Sequence, residues 1–275
     1  MAADPPDGIV GAMRRKTVDI KAMASFLTVA FLAAGALGAL QPATRIPGEV
    51  IQLTQFGPAL GVGLAALLWP RRVPEVLAGP AAGRSGRGVL LLVTAPVIIA
   101  LSVLAYAALT GDARSARPGA PFLLIAVAQL IGACGEEIGW RCFLQPLLRT
   151  RLGPLAASVT VGVAWGVWHV QVFARHPVYA GAFITAAVSM SVVMGWALEG
   201  VRASRLLLAG GFHALINLGM LLFMDEESGA VLPMVLFGSS CLAAAGLWTW
   251  RSVGRQRSAG SSAPAKIPPV MDDVR

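Results

Sequence analysis

Eight long apolar segments constrain the fold of this chain more than any other feature of its sequence. Stretches of about 18 or more residues with few charges are long enough to cross the hydrocarbon core of a bilayer as a helix. Such stretches cover residues 22–40, 50–69, 88–110, 121–148, 152–174, 178–198, 206–224 and 229–250. With 56% hydrophobic and only 13% charged residues, the chain cannot cover this surface in water. The sequence therefore predicts an all-α, polytopic membrane helix bundle of about eight transmembrane helices, and it excludes soluble enzymes and disulfide-stapled secreted domains.

Polar sequence flanks the apolar segments at both ends of the chain. Residues 1–21 and 251–275 lack apolar periodicity. We expect a cytoplasmic N-terminal tail and a disordered cytoplasmic C-terminal tail around a transmembrane domain at 22–250. The basic run before residue 22 and the apolar stretch after it resemble a signal peptide, but the long polar lead favours an uncleaved first helix.

Basic residues are distributed unevenly between the two ends of these segments. If the segments alternate in direction, 18 of the 22 Lys and Arg residues fall on the side that holds both termini. The other side holds only Arg45, Arg114, Arg117 and Arg175. Because Lys and Arg collect in cytoplasmic loops, both termini should be cytoplasmic. This distribution explains the net charge of +8 without nucleic acid, since no basic cluster is interleaved with aromatic residues.

The three cysteines, Cys134, Cys142 and Cys241, lie in apolar surroundings. An odd number without paired spacing argues against a disulfide framework and against a zinc site built on cysteine. We expect them to be small, buried apolar side chains.

A few ionisable and amide side chains interrupt the apolar segments. Such groups are costly inside a membrane span and are therefore candidates for function. They are Glu136, Glu137, Arg141, His169, His213 and Asn217.

The two adjacent glutamates face different ways on a helix. Glu137 and Arg141 are four residues apart and can pair on one face. Glu136 points about 100° away and has no basic residue three or four positions from it, which suits a general base or acid. Alternatively, all three residues are only the cytoplasmic end of a helix that meets water.

The two histidines lie on later apolar segments. Trp165 stands one turn before His169, and Asn217 stands one turn after His213. Two glycines precede His213 and would let another helix approach closely at its level. Each histidine alone is also compatible with a simple hydrogen bond between helices.

One glutamate, two histidines and one asparagine on three apolar helices can converge in a bundle. A carboxylate would take a proton from water while histidine and asparagine hold the developing oxyanion. Two histidines and a carboxylate are also a catalytic ligand set for Zn²⁺, so Glu136, His169 and His213 form an alternative metal site. A third alternative is a proton-coupled transporter with these groups as a relay, although no strong internal repeat is visible.

The order of these motifs resembles that of a known family. Glu136-Glu137-x3-Arg141, an aromatic residue four positions before His169, and His213-x3-Asn217 resemble the motifs of the CPBP intramembrane proteases. This is the family of the CAAX prenyl endopeptidases and of bacterial relatives linked to bacteriocin processing and self-immunity. The resemblance covers roughly residues 121–224, which would form a protease-like core. One departure is a tryptophan at position 165, where phenylalanine is usual.

The resemblance implies an intramembrane endopeptidase in which Glu136 is the catalytic glutamate. His169 and His213 would be its partners, Asn217 would support the oxyanion or a ligand, and Glu137 with Arg141 would form a structural pair. The substrate would be a membrane-associated peptide, prenylated or carrying a leader. The protein would lie in a bacterial plasma membrane, with lipid and peptide as partners. A non-catalytic immunity protein that binds a peptide on the same fold is an alternative.

The predicted segment ends place two of these residues at different depths. At about 1.5 Å per residue, Glu136 falls toward the cytoplasmic side and His169 toward the opposite side. If they meet, either the fourth segment is a long tilted helix that reaches Leu148, or the fifth begins later than Leu152.

Overall fold

The computed structural model describes residues 7–78, 86–112, 115–201, 204–224 and 229–261. Within these ranges the chain is helical and contains no strand. The α-helices are α1 (Asp7–Thr44), α2 (Gly57–Leu68), α3 (Arg72–Ala78), α4 (Gly86–Thr110), α5 (Phe122–Gly139), α6 (Gln145–Arg149), α7 (Pro154–Trp168), α8 (Pro177–Ala197), α9 (Arg205–Phe223) and α10 (Val231–Ser261). A π-helical turn, Trp140–Leu144, joins α5 to α6, and 3-10 turns cover Leu53–Phe56 and Val170–Ala174. The prediction of an all-α bundle is confirmed.

Six helical segments of the described chain are long and apolar enough to cross a membrane. They are Asp19–Thr44, Arg87–Thr110, Phe122–Arg149, Pro177–Ala197, Arg205–Phe223 and Val231–Arg255. The other two predicted segments form the shorter apolar helices Leu53–Leu68 and Pro154–Trp168. At about 1.5 Å per residue the second of these covers about 22 Å, less than the ~30 Å of a hydrocarbon core. It is short because the chain leaves the α-helix at His169, before the apolar run ends.

Large apolar side chains cover the outside of the bundle. Leu67, Val89 and Leu123 are 79%, 68% and 75% exposed. Such a continuous apolar exterior is stable against lipid but not against water. The chain is therefore an integral membrane protein.

Both predicted tails are helical where the structure describes them. Helix α1 begins at Asp7, directly after Pro5 and Pro6 in the sequence, and α10 continues to Ser261. The prediction of a disordered segment from residue 251 is thus wrong as far as Ser261. Adding a residue to an existing helix orders one residue for each hydrogen bond gained, which costs less than starting a new helix. Helix α10 can therefore extend beyond residue 251, since residues 251–263 contain no proline. Residues 262–275 lie outside the described residues.

The fourth predicted segment is one long helical rod, Phe122–Arg149, with the π-helical turn inside it. Because α7 begins close to the Arg149 end of this rod, the depths of two candidate residues can be compared. Glu136 lies about 20 Å from Arg149, and His169 lies about 22 Å from Pro154, at about 1.5 Å per residue. Both predicted solutions are found, since the fourth segment extends past Leu148 and the fifth helix begins at Pro154, later than Leu152; together they bring the two residues to one level.

An aromatic cluster packs α1 against the middle of this rod. The ring of Phe26 lies 5.4 Å from Trp140 and 5.3 Å from Phe143, measured between centroids. The indole of Trp168 at the end of α7 donates a hydrogen bond of 3.0 Å to the carbonyl oxygen of Ala30. These contacts join α1 and α7 to each other beside the π-helical turn.

A glycine brings α5 and α9 together at the level of the second histidine. A Cβ atom on Gly210 would lie 3.3 Å from the backbone nitrogen of Cys134. The predicted close approach of a neighbouring helix at this level is confirmed. The cysteines are all free: Cys142 and Cys241 are buried, as expected, and Cys134 is half-buried.

The connections between helices form two opposite faces of the bundle. We call the first the basic-poor face; it contains residues 45–52, 111–112, 115–121, 169–176 and 229–230. Contacts join these connections: the Gly119 amide donates to Glu49 Oε2 at 3.2 Å, and the Ala116 amide donates to the Leu222 carbonyl at 2.7 Å.

We call the second face the basic-rich face; it contains α3, residues 150–153, 198–201 and 204, and the cytoplasmic ends expected for α1 and α10. Arg72 forms an ion pair of 2.7 Å with Asp19 of α1, and Arg149 forms one of 2.6 Å with Glu199. Arg151 also donates to the Lys16 carbonyl at 2.8 Å. The predicted grouping of the basic connections on one side is therefore seen in space.

Candidate active site

Glu136 is buried in the middle of the long rod, with only 2% of its surface exposed. One carboxylate oxygen, Oε2, accepts a hydrogen bond of 2.8 Å from the indole nitrogen of Trp165. No other hydrogen bond to its side chain occurs among the described residues, so Oε1 keeps its lone pairs. Sequence spacing assigned Trp165 only to the face of His169 and did not predict this bond.

Glu137 joins two basic groups on the other side of the rod. Its Oε2 lies 3.1 Å from Nη1 of Arg141, which confirms the predicted pair. Its Oε1 lies 2.9 Å from Nδ1 of His213 on α9, a contact that the sequence did not predict. Because an ionised carboxylate can only accept, His213 carries a proton on Nδ1, and Nε2 is the nitrogen left for other partners.

His169 lies at the point where α7 ends. Its Nδ1 is 2.9 Å from the Trp165 carbonyl oxygen, which can only accept, so this nitrogen also carries a proton. The ring packs edge-on against Trp168 and Phe183, at centroid distances of 4.9 and 5.0 Å. In the neutral imidazole, Nε2 is therefore the basic nitrogen.

Asn217 is held by a glutamine that the sequence analysis did not select. Its Nδ2 donates a hydrogen bond of 3.1 Å to Oε1 of Gln129, whose own amide nitrogen donates to the Glu49 carbonyl at 3.1 Å. Gln129 lies seven residues, or two helical turns, before Glu136. A polar residue on the face of the glutamate in an apolar segment is the signal that could have identified it.

Trp165 contacts four of the candidate residues. Besides the bond to Glu136, its ring lies 5.8 Å from the ring of His169 and 5.1 Å from that of His213. The guanidinium carbon of Arg141 stands 4.2 Å over the same indole. Residues from the rod, α7 and α9 thus meet around one aromatic side chain.

One cavity of about 440 Å³ contains the four residues that the sequence predicted to be catalytic. Its lining includes Glu136, His169, His213 and Asn217, together with Trp165. Glu137 and Arg141 are not part of the lining; they lie behind it and are 0% and 1% exposed. The two residues predicted as a structural pair are thus separated from the four that reach the cavity.

The zinc site considered above is not assembled in this arrangement. Among the described residues, no group of three His, Cys, Asp or Glu side chains lies close enough to hold a metal ion. Nδ1 of each histidine is already hydrogen-bonded, and one oxygen of Glu136 faces Trp165. Nε2 of each histidine and the other oxygen of Glu136 keep their lone pairs, so dependence on zinc stays a prediction.

A second cavity, of about 280 Å³, lies on the side of Arg141 away from the first. It is lined by Arg141, Gln145, Arg149, Glu199 and Arg205, among others, and reaches the basic-rich face. Within the described chain, Nε and Nη2 of Arg141 and Oε1 of Gln145 have no hydrogen-bond partner. At this level the Arg141 guanidinium and the Trp165 indole stand between the two cavities.

Comparisons with known proteins find relatives of this chain. The chain is 28% identical to a protein named CAAX prenyl protease 2 from Methanococcus maripaludis over 128 residues, 42% of this chain and 47% of that protein. It is 25% identical to lysostaphin resistance protein A of Staphylococcus epidermidis over 118 residues, 43% of this chain and 31% of that protein. The chain thus spans less than half the length of these curated relatives. Residues 118–219, which contain all six candidate residues, match the family described as type II CAAX prenyl endopeptidase Rce1-like, and the predicted resemblance is confirmed.

Proposed function

We propose that this chain is an intramembrane endopeptidase that hydrolyses a peptide bond of a membrane-associated peptide. The observation that carries the proposal is the single cavity that contains Glu136, His169, His213 and Asn217. Ionisable groups inside a membrane protein mark functional sites, and a carboxylate with two imidazoles and an amide can perform hydrolysis. The family match supports a protease of this kind.

Glu136 would activate the attacking water. Its Oε2 is held by the Trp165 indole, so Oε1 is the atom available to take a proton. The Nε2 atom of His169 would accept the second hydrogen of the same water and orient it, because Nδ1 is occupied by the Trp165 carbonyl. The water oxygen then bonds to the carbonyl carbon of the substrate.

His213, protonated on both ring nitrogens beside the Glu137 carboxylate, and Asn217 would stabilise the oxyanion that forms at the same moment. Both line the cavity one helical turn apart on α9. Glu137 holds Nδ1 of His213 and thereby fixes the orientation of the ring, and Gln129 fixes the amide of Asn217 in the same way. Donors that are positioned before the reaction need no rearrangement when the charge develops.

The proton taken by Glu136 would then pass to the leaving nitrogen. The C–N bond breaks as this nitrogen is protonated, and the products are a carboxylic acid and an amine. Glu136 returns to its ionised state, so the cycle needs no further reactant.

Cleavage by the purified chain tests this proposal. The protein is incubated in detergent micelles with a peptide library, and products are identified by mass spectrometry. We expect cleavage at defined positions that is lost in Glu136→Gln. The matched control is Glu75→Gln, which makes the same chemical change at an exposed carboxylate on α3.

The alternatives predict other results. A non-catalytic peptide-binding protein would bind library peptides without cleaving them. A proton-coupled transporter would move protons with a solute in vesicles. Cleavage that survives in Glu136→Gln would contradict the hydrolase proposal.

A further inference from the structure

The active-site cavity reaches only one face of the bundle. Its lining includes residues from three connections of the basic-poor face: Glu49 from 45–52, Arg117 from 115–121, and Gln171 and Arg175 from 169–176. Among the described residues, none from the connections of the basic-rich face lines it. The mouth of the cavity therefore lies on the basic-poor face.

A buried layer closes the cavity on the opposite side. Glu137, Trp140, Arg141 and Phe143 are each at most 1% exposed, and Leu147, one turn further, is also 1% exposed. A substrate approaching from the basic-rich face would have to displace this packed layer and break the buried ion pair. The groups of the active site are therefore accessible from the basic-poor face.

The charge distribution identifies the side of the membrane. In the order of the chain, 18 of the 22 basic residues belong to the tails and to the connections on the basic-rich side, and only four belong to the connections that alternate with them. Lys and Arg in short loops are retained in the cytoplasm during insertion. The basic-poor face is thus the extracytoplasmic one.

We propose that the substrate enters from the extracytoplasmic side of the membrane. This inference rests on the proposed hydrolase function and adds the class of substrate: a peptide segment that is exposed outside the cytoplasm, next to the membrane. The inner wall of the cavity carries Phe183, Ile216, Met220 and Phe237, so apolar residues flank the bond that is cut. A prenylated C-terminus that remains in the cytoplasm does not reach this cavity.

Cysteine labelling in intact cells tests the direction of the opening. Gln171→Cys places a thiol at the mouth, and Ser204→Cys is a near-isosteric control at an exposed position of the basic-rich face. A membrane-impermeant maleimide should label Gln171→Cys equally in intact and permeabilised cells, and Ser204→Cys only after permeabilisation. Labelling of the unchanged chain measures the background from its own three cysteines. If Gln171→Cys is not expressed at a sufficient level, Ala116→Cys takes its place.

The reverse labelling pattern, or equal labelling of both positions in intact cells, would overturn the proposed direction. The second measurement adds a cleavable, membrane-impermeant peptide to intact cells and to inverted membrane vesicles. We expect at least tenfold faster cleavage with intact cells, and faster cleavage in inverted vesicles overturns the inference. Cleavage in detergent does not depend on sidedness, so its loss would overturn the hydrolase proposal alone.

Discussion

A single tryptophan organises the candidate site at the scale of residues. Trp165 gives Glu136 its one hydrogen bond from the described chain, holds His169 through its carbonyl oxygen, and packs its ring against His213 and Arg141. The indole N–H and the ring of Trp165 therefore have separate roles. The first contacts the carboxylate, and the second sets the spacing between the histidines.

The two glutamates should respond differently to the same substitution. Glu136→Gln should lower the cleavage rate about 100-fold or more while the protein still folds, because the shape is kept and only the base is lost. Glu137→Gln should instead destabilise the fold by about 3–5 kcal/mol, since Arg141 would be buried without its partner. Cleavage assays and thermal unfolding in detergent distinguish these effects. An active Glu136→Gln beside a stable but inactive Glu137→Gln would reverse the two roles.

Substitutions of Trp165 should separate its ring from its N–H group. Trp165→Phe removes the hydrogen bond to Glu136 but keeps an aromatic ring, and we expect kcat/KM to fall roughly tenfold, for a bond to a charged group worth about 1.5 kcal/mol. Trp165→Ala should abolish cleavage because the histidines lose their common support. Equal rates for the two variants would show that the ring has no separate role.

At the scale of elements, the sequence predicts contacts within one helix better than hydrogen bonds between two helices. The Glu137–Arg141 pair follows from a spacing of four residues, and the helices themselves follow from apolar runs. The His213–Glu137 and Asn217–Gln129 bonds depend on the rotation of α9 against the rod, which no local spacing determines. The π-helical turn was also not predicted, because an inserted residue leaves the apolar pattern almost unchanged.

The approach of α5 to α9 can be tested with paired glycine substitutions. Gly210→Ala would place a Cβ against Cys134, whereas a Cβ at Gly181 on α8 meets no atom within 4 Å. We expect Gly210→Ala to lower stability by about 1–3 kcal/mol through overpacking and to reduce cleavage. Gly181→Ala should leave both unchanged or raise stability slightly. Comparable melting temperatures for both variants would contradict the tight packing.

At the scale of the whole molecule, the sequence predicted that the polar side chains meet at one site. The reason was the high free energy of placing a single polar side chain in a membrane without a partner. That reasoning predicted one shared cavity for Glu136, His169 and His213, and the cavity exists. It could not predict the length of each helix, and two of the eight segments are shorter than a membrane crossing requires. A 3-10 turn precedes the first of these helices and another follows the second, and apolar composition alone does not reveal either.

The two cavities have a consequence for the barrier function of the membrane itself. One cavity lies toward each face of the bundle, and at one level Arg141 and Trp165 separate them. The buried ion pair of Arg141 with Glu137 and the packed rings beside it fill this level of the bundle and oppose the passage of protons and metal cations. The double variant Glu137→Gln with Arg141→Gln removes both charges of the pair and should raise the proton leak of proteoliposomes above that of the unchanged chain. An unchanged proton leak would mean that the packed rings of Trp140 and Phe143 are sufficient to prevent proton flow across the membrane.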